Sequence, residues 1–325
     1  MGGSEVSFLL LVAACSTGMV GIVRRLAVAH GVIDLPTHRG SHNTPTPRGG
    51  GLGAVAAVVI AFVALGAPEG RPVVFAGIAA CVAVAAVGWF DDRRGLSVRP
   101  RLVVHVLGGA AVGALSLRSS APVEVSLVVF LWWAFWTVSS INLVNFMDGI
   151  NGLVASQIAI FAGSLMLFGW EVATSSWYAG AVAAACIGFL PWNFPRARIF
   201  LGDVGSGAFG FLVPFTALLV MQDRGINVVQ AHLPLLPLFG DATVTIFRRW
   251  SRGEQLTQPH RSHLYQRLAN GGVGHTRVTL LYAMASLGGA IVAHSARWGF
   301  VAAYVIAVVV LGALLERRLT QTVKR

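Results

Sequence analysis

Residues 72–101 read PVVFAGIAACVAVAAVGWFDDRRGLSVRPR, an apolar run of membrane-spanning length that ends on two aspartates and a series of arginines. A helix needs roughly 20 apolar residues to cross a bilayer. The whole chain has a mean hydropathy of +0.72, with 55% hydrophobic and only 11% charged residues. A soluble protein of this length would carry far more charge, so the sequence predicts a protein that crosses the membrane many times.

The apolar runs divide into eleven predicted spans within one domain, residues 1–325. Because an open sheet edge cannot lie in lipid, every span is predicted to be a helix, and the fold class is an all-α membrane bundle. Only residues 222–227 separate the eighth and ninth runs, so ten spans are an alternative. The predicted spans are 6–28, 51–67, 72–90, 102–118, 123–141, 153–170, 177–193, 205–222, 227–247, 278–294 and 297–316.

Basic residues set the predicted orientation, since loops rich in Lys and Arg remain in the cytoplasm. Of the 24 Lys and Arg residues, only Arg71, Arg118, Arg224 and Arg297 follow even-numbered spans. The N-terminus is therefore predicted to lie outside and the C-terminus in the cytoplasm. The net charge of +11 mostly reflects this asymmetry, although it also favours an anionic partner. The predicted cytoplasmic loops with polar clusters are about 31–50, 91–101, 142–152, 194–206 and 248–277.

The first carboxylate cluster is the pair Asp91 and Asp92. Two adjacent carboxylates repel each other unless a cation or a proton lies between them. Neutralisation by Arg93 and Arg94 in a solvated loop is the alternative to a functional site. The other polar clusters on the same predicted membrane face favour a functional site for this pair.

A second cluster, NLVNFMDGING, covers residues 142–152. Asn142, Asn145 and Asp148 are spaced three apart, so they would share one face of a helix that ends at the following glycines. Amide and carboxylate oxygens suit a hard cation such as Mg²⁺. A polar face for helix packing is the alternative.

A third cluster, FLGDVGSG, covers residues 200–207 and is predicted to open the eighth helix. Asp203 would either cap that helix or hold a metal beside a phosphate bound at the free helix amides. Phe200 would either pack in the core or stack on a base. Asp241, roughly 10 Å along the ninth span from Arg248 at 1.5 Å per residue, must be paired or face a wet cavity.

Two basic loops complete the predicted cytoplasmic face. In the first loop, prolines and glycines surround Arg39, His42 and Arg48, and arginine suits phosphate in a forked geometry. Retention of positive charge in the cytoplasm is the alternative role for these arginines. The last loop carries His260, Arg261 and His263. No third close ligand completes a zinc site there, so hydrogen bonds to phosphate or sugar are favoured.

In this order, the clusters resemble those of the polyprenyl-phosphate N-acetylhexosamine-1-phosphate transferases, glycosyltransferase family 4. The resemblance covers about residues 30–270. It implies an enzyme that transfers HexNAc-1-phosphate from a UDP-sugar to undecaprenyl phosphate and releases UMP, at the cytoplasmic face of the inner membrane. It also implies Mg²⁺, with Mn²⁺ as an alternative. The implied partners are UDP-N-acetylhexosamine, undecaprenyl phosphate and membrane lipid, without nucleic acid, and a homodimer is left open.

The same resemblance implies roles for single residues. Asp203 would hold Mg²⁺ on the diphosphate, with Asn145 or Asp148 near the metal. Asp91 and Asp92 would position or deprotonate the lipid phosphate. Phosphate, sugar and uracil would be bound by Arg39, His42, Arg48, Asn142, Asn151, Phe200, His260, Arg261 and His263, with Asn151 and Phe200 at the uracil.

Departures from the family pattern narrow the expected subgroup. Relatives often have Asp where this chain has Asn151, and the last loop reads His-Arg-Ser-His rather than three histidines. That variant of the last loop, together with the Arg-Gly-Gly-Gly segment at residues 48–51, looks closest to enzymes that initiate bacterial O-antigen synthesis for lipopolysaccharide, some of which prefer 6-deoxy amino sugars. One alternative is a transporter or flippase, which would place charges at mid-membrane. Another is the peptidoglycan-precursor translocase of the same superfamily, although the last loop is short for gripping a pentapeptide.

Overall fold

The computed structural model describes residues 3–36, 44–67, 70–117, 122–169, 174–256, 258, 260–295 and 297–323. Two short strands, β1 (Ile33–Asp34) and β2 (Thr46–Pro47), pair antiparallel in the first loop. The α-helices are α1 (Gly3–Ala29), α2 (Gly51–Gly66), α3 (Pro72–Arg94), α4 (Val98–Leu115), α5 (Val123–Met147), α6 (Leu153–Gly169), α7 (Thr174–Asn193), α8 (Gly202–Arg224), α9 (Val228–His232), α10 (Leu236–Ser251), α11 (Leu264–Leu268), α12 (His275–Ser295) and α13 (Trp298–Val323).

The helices confirm the predicted all-α membrane bundle. Among the described residues, seven helices are long and apolar enough to cross a membrane, and α2 and α6 are shorter apolar helices. The protein is therefore a multi-pass membrane protein. The seven are Gly3–Ala29, Pro72–Arg94, Val98–Leu115, Val123–Met147, Gly202–Arg224, His275–Ser295 and Trp298–Leu319.

The ninth predicted span is not one continuous helix, so that prediction was wrong. A 3₁₀ turn, Leu233–Leu235, separates α9 from α10. Pro234 and Pro237 lie at the starts of the turn and of α10, where a proline's missing N–H does little harm, but neither could continue a preceding helix. The break makes α10 a separate helix, with Asp241 in its second turn.

Helix α8 is the centre of the bundle. Its apolar window is 94% buried, whereas that of α13 is 6% buried. Glycines bring neighbouring helices onto its first turn: a Cβ on Gly88 of α3 would lie 2.4 Å from the carbonyl oxygen of Asp203, and one on Gly51 of α2 would lie 2.3 Å from the Cα of Gly205. Only glycine permits such close backbone approach. The start of α8 is therefore the point where the ends of α2 and α3 meet.

Candidate active site

The carboxylate of Asp92 lies across the first turn of α8. It accepts hydrogen bonds from the backbone N–H groups of Asp203 (3.0 Å) and Val204 (3.2 Å), and Arg48 donates to it through Nε (3.0 Å) and Nη2. The Asp92 side chain is fully buried. A buried carboxylate needs such partners, and the positive end of a helix dipole adds to them. Asp92 thus caps α8, and the carboxylate of Asp203 is not the cap.

The first loop joins the start of α8 through backbone hydrogen bonds. Phe200 donates to the carbonyl of Pro47 (2.8 Å), and Gly50 donates to the carbonyl of Phe200 (2.8 Å). These bonds hold Arg48 beside Asp92 and fix the backbone on both sides of Phe200. The other two candidates of this loop, Arg39 and His42, lie outside the described residues.

Asp91 faces a second arginine, Arg101, for which the sequence predicted no role beyond positive charge in a loop. Arg101 Nη1 contacts Asp91 Oδ2 and lies 3.5 Å from Asp203 Oδ2. The turn between α3 and α4 makes this possible, and the N–H of Leu96 closes it by donating to Asp91 Oδ1 (2.6 Å). One guanidinium therefore bridges the ends of α3 and α8, where two carboxylates would otherwise repel each other.

The structure does not show the alternative in which Arg93 and Arg94 neutralise the two aspartates. The guanidinium of Arg93 lies over the Trp89 ring, 4.7 Å from its centroid, and that of Arg94 lies over Phe90 at 5.8 Å. Helix α3 extends to Arg94, so these residues lie on its last turn rather than in a solvated loop. Cation–π contacts occupy both side chains, and distant arginines neutralise the aspartates instead.

Asn145 joins the end of α5 to the first turn of α8. Its Nδ2 donates to Asp203 Oδ1 (3.1 Å) and to Ser206 Oγ (2.9 Å). Asn142, one turn earlier, donates to the carbonyl of Val138 (2.7 Å). Asn142 and Asn145 both line a cavity of about 80 Å³ among α3, α4, α5 and α8, which Asp203 also lines. This cavity reaches the carboxylate cluster.

Asp148 lies beside this cluster but not on the same helix face. Helix α5 ends at Met147, and Asp148 has φ −84° and ψ 58°, so the predicted three-residue face was wrong for Asp148. Burial, followed by the nearby charges of Asp203 and Asp92, raises the pKa of Asp148 to about 8, and Arg48 opposes this shift. A cation among these carboxylates would favour the ionised form of Asp148.

The donor set fits a divalent metal that is shared with a phosphorylated substrate. Asp203, Asp148 and the amide oxygen of Asn145 offer hard oxygen ligands. Within the described ranges no group of three or more His, Cys, Asp or Glu is arranged to hold a metal ion alone. Mg²⁺ is commonly held by one or two carboxylates together with substrate phosphates and water, so this sparse set is compatible with it.

The turn after Asp148 packs against the segment that leads to Phe200. Gly152 N–H donates to Asn193 Oδ1 (2.6 Å), and Asn151 Nδ2 donates to the carbonyl of Pro195 (3.0 Å). The carbonyl of Asn151 also accepts from Thr279 Oγ1 (2.7 Å). Asn151 therefore joins the segment before Phe200 to α12.

The last loop packs on the end of α5. The ring of His263 stacks with Phe146 (centroids 6.4 Å apart) and lies 4.9 Å from the ring of His260. Tyr265 donates through its hydroxyl to the carbonyl of Phe146 (3.0 Å). Phe146 lines the same cavity as Asp203, so the histidine loop contacts a wall of that cavity through His263.

Both histidines are neutral near pH 7. Burial first, then the charge of Arg249, lowers the pKa of His263 to about 4. Burial, His263 and Arg249 lower the pKa of His260 to about 4, against the smaller opposing effect of Glu254. Neutral imidazoles offer one donor and one acceptor each, which suits hydrogen bonds to a phosphate or a sugar hydroxyl.

These pKa values predict a pH dependence of stability. Between pH 6.5 and about 4 the unfolded state binds more protons at His260 and His263 than the folded state, so acidification favours unfolding. In detergent, the unfolding temperature should fall more steeply over this range for the wild type than for a His260→Gln, His263→Gln double variant. Other titrating groups are common to both proteins and cancel. Parallel pH dependences would contradict the neutral state of these rings.

Comparison with known proteins gives the family. A family model described as Glycosyl transferase family 4 matches residues 74–221. The chain is 30% identical over 329 residues to the decaprenyl-phosphate N-acetylglucosaminephosphotransferase of Mycobacterium tuberculosis, covering 85% of this chain and 79% of the relative. The chain belongs to glycosyl transferase family 4. Further relatives are the probable undecaprenyl-phosphate N-acetylglucosaminyl 1-phosphate transferase of Bacillus subtilis, 28% identical over 279 residues (80% and 76% covered), and the undecaprenyl-phosphate alpha-N-acetylglucosaminyl 1-phosphate transferase of Yersinia pestis, 27% identical over 339 residues (95% and 92% covered).

The region matched by glycosyl transferase family 4 contains the carboxylate cluster but not the basic loops. Residues 74–221 include every predicted catalytic and metal-binding residue, and they exclude Arg48 and the last loop. The fold nevertheless brings both loops into contact with the matched region. Arg48 hydrogen-bonds Asp92, and the ring of His263 stacks with Phe146. The predicted residues that meet around the first turn of α8 are Arg48, Asp91, Asp92, Asn142, Asn145, Asp148 and Asp203. His263 contacts Phe146 of this cavity, and His260 contacts His263.

Two residues of this glycosyl transferase family 4 protein were missed as parts of the site. Arg101 lies ten residues after Asp91, and an arginine at that distance in the first turn of the following helix was the available signal. Tyr265 is fully buried under the turn of Gly149, where a Cβ would lie 2.2 Å from the tyrosine hydroxyl. The sequence predicted both the glycine turn and the His-Arg-Ser-His loop as parts of the site. Neither pattern indicated that Tyr265, which follows that loop, contacts Gly149 of the turn.

Proposed function

We propose that this protein transfers HexNAc-1-phosphate from a UDP-sugar to a polyprenyl phosphate and releases UMP. The observation that carries the proposal is the meeting of Asp91, Asn145 and Asp203 with Arg101 at the first turn of α8. Acidic and basic groups at one point suit a reaction between two phosphorylated substrates, one of which brings a cation. The names of the three relatives describe this class of transfer for those proteins.

In the proposed reaction, an oxygen of the lipid phosphate attacks the diphosphate phosphorus that carries the sugar. The bond from this phosphorus to the UMP oxygen breaks, so a new diphosphate forms and UMP leaves as an anion. Phosphoryl transfer of this kind depends mainly on positioning and on neutralising charge. A dianionic acceptor needs no base, so Asp91 is proposed to orient Arg101 rather than to remove a proton.

The remaining residues have proposed roles in binding. Mg²⁺, with Mn²⁺ as an alternative, would stabilise negative charge on the diphosphate when held by Asp203 with Asn145 or Asp148. Arg101 is proposed to pair with a phosphate when its contact with Asp203 is released, and neutral His260 and His263 are proposed to hydrogen-bond phosphate or sugar; the 3.5 Å contact and the adjacent rings support these roles. Further binding residues proposed for phosphates, sugar and uracil are Arg39, His42, Arg48, Asn142, Asn151, Phe200 and Arg261.

The proposal extends to the substrates and the location. Undecaprenyl phosphate is proposed as the acceptor, at the cytoplasmic face of the inner membrane. N-acetylglucosamine appears in the names of the three relatives, so UDP-N-acetylglucosamine is the first donor to test. A role in O-antigen synthesis with a 6-deoxy amino sugar stays a prediction, as does a homodimer.

A donor panel tests the proposal. Purified protein in detergent would be mixed with undecaprenyl phosphate, Mg²⁺ and one UDP-HexNAc at a time, with UMP release and the lipid product followed by mass spectrometry. We expect equal amounts of UMP and lipid-diphospho-sugar with at least one donor, and no product in EDTA or without the lipid. Folded protein that turns over no donor would refute the transfer reaction.

A further inference from the structure

Asp241 is a buried carboxylate that the proposed chemistry does not use. It lies in α10, and its side chain is 3% exposed. Its two oxygens accept four hydrogen bonds: from Leu264 N–H (2.8 Å), Tyr265 N–H (3.0 Å), Tyr282 Oη (2.7 Å) and Thr245 Oγ1 (3.2 Å). Among the described residues, Asp241 has no Lys or Arg partner in an ion pair. Neutral and backbone donors therefore hold this carboxylate.

Two of these four bonds fix the start of α11. The N–H groups of Leu264 and Tyr265 are the first two of that short helix, and His263 is the residue immediately before it. A carboxylate that accepts from these N–H groups determines where the chain turns into the helix. It therefore also determines where the His263 ring points, which is against Phe146 and His260.

The position of Tyr265 follows from the same contact. With its N–H on Asp241, Tyr265 extends its hydroxyl to the carbonyl of Phe146 and under Gly149. The Asp241 carboxylate thus helps to position both the histidine loop, through the start of α11, and the turn after Asp148, through Tyr265. His263 Nδ1 lies 3.9 Å from Asp241 Oδ1, too far for a hydrogen bond, so the carboxylate acts through the backbone of the loop and not through the ring.

We propose that Asp241 is a positioning residue that holds the His260–His263 loop in the position from which its histidines are proposed to bind the UDP-sugar. Four donors on two oxygens suit a carboxylate, whereas the Asn side chain has one acceptor oxygen and an NH₂ that would face a donor. This inference rests on the proposed function for its kinetic part. Its structural part, that the carboxylate holds the start of α11, stands independently.

Graded variants and a matched control test the proposal. Asp241→Asn removes the carboxylate, Asp241→Glu keeps it, and Tyr282→Phe removes one donor while leaving the two backbone bonds. The control, Ser286→Ala, removes a buried hydrogen bond to Gln157 between α12 and α6, away from the loop. It reports how a loss of helix packing alone affects activity.

Hydrogen exchange of the full-length protein in detergent gives the first readout. In Asp241→Asn we expect faster exchange of the Leu264 and Tyr265 amides, with α5 and α8 unchanged. We expect little change in Tyr282→Phe and none in Ser286→Ala at these amides. Wild-type exchange at both amides in Asp241→Asn would overturn the proposal, whatever the activity.

Steady-state kinetics give the second readout. For Asp241→Asn we expect about a tenfold fall in kcat/KM for the UDP-sugar, with KM for the lipid phosphate unchanged and partial recovery in Asp241→Glu. Equal losses for both substrates, matching those of a Ser286→Ala protein of similar unfolding temperature, would overturn a positioning role. A wild type without turnover would refute the proposed reaction instead, and the exchange result would still decide whether Asp241 holds the loop.

Discussion

Asp203→Asn is expected to reduce turnover by about 10³-fold while leaving the membrane fold intact. The substitution removes a negative charge that faces Asn145 and Arg101 at the proposed metal position. A metal contributes several kcal/mol of charge stabilisation in the transition state, and about 1.4 kcal/mol corresponds to a tenfold rate change. Initial rates of UMP release over a range of Mg²⁺ concentrations would measure the effect.

The fold should tolerate this substitution because the backbone, not the side chain, of Asp203 carries the helix contacts. Its N–H donates to Asp92, and its carboxylate is 30% exposed. The matched control is Asp223→Asn, the same change at the other end of α8, where the carboxylate lies 3.9 Å from Arg71 in an exposed pair. Near-normal rates for Asp223→Asn and wild-type unfolding temperatures for both are expected. Substantial turnover by Asp203→Asn would remove it from the metal site.

Much of the architecture was predictable from the sequence because it depends on local signals. Apolar runs of spanning length predicted ten of the eleven spans as continuous helices, and residues 233–237 show why the other failed: two prolines interrupt a run that remains apolar. Hydropathy detects the apolar run but does not detect the helix break at the two prolines. The prediction that the polar clusters share one membrane face rests on the same runs together with the distribution of arginine.

The partners within the site were less predictable because they join distant parts of the chain. Asp92 and the start of α8 are 111 positions apart, and nothing near either one indicates the other. In the sequence, Arg101 resembles the other loop arginines. Its ion pair with Asp91 depends on the turn after α3. Asp148 follows Asn142 and Asn145 at the same three-residue spacing. Because α5 ends at Met147, Asp148 is not on the helix face that the two asparagines share. Local sequence patterns therefore predicted which kinds of side chain form the site, whereas the contacts between those side chains depend on tertiary packing.

The adjacent aspartates Asp91 and Asp92 are expected to respond very differently to the same substitution. Asp92→Asn breaks the ion pair between a fully buried carboxylate and the partly exposed Arg48, and it weakens the cap on α8. Removal of one partner of a buried pair costs about 3–5 kcal/mol, and the lower value applies because Arg48 is 29% exposed. We therefore expect a large fall in the unfolding temperature of Asp92→Asn, with activity lost together with the fold.

Asp91→Asn should instead stay folded and lose activity. Its carboxylate is 9% exposed, and its contacts with Arg101 and the N–H of Leu96 orient the arginine and close a turn rather than cap a helix. Thermal unfolding in detergent, measured beside UMP release, separates the two outcomes. A second change, Arg48→Gln, should restore part of the stability of Asp92→Asn, because it removes the arginine charge left without its partner. Equal unfolding temperatures for Asp91→Asn and Asp92→Asn would show that the pair acts as one unit, and the division between a structural and a substrate-facing aspartate would be wrong.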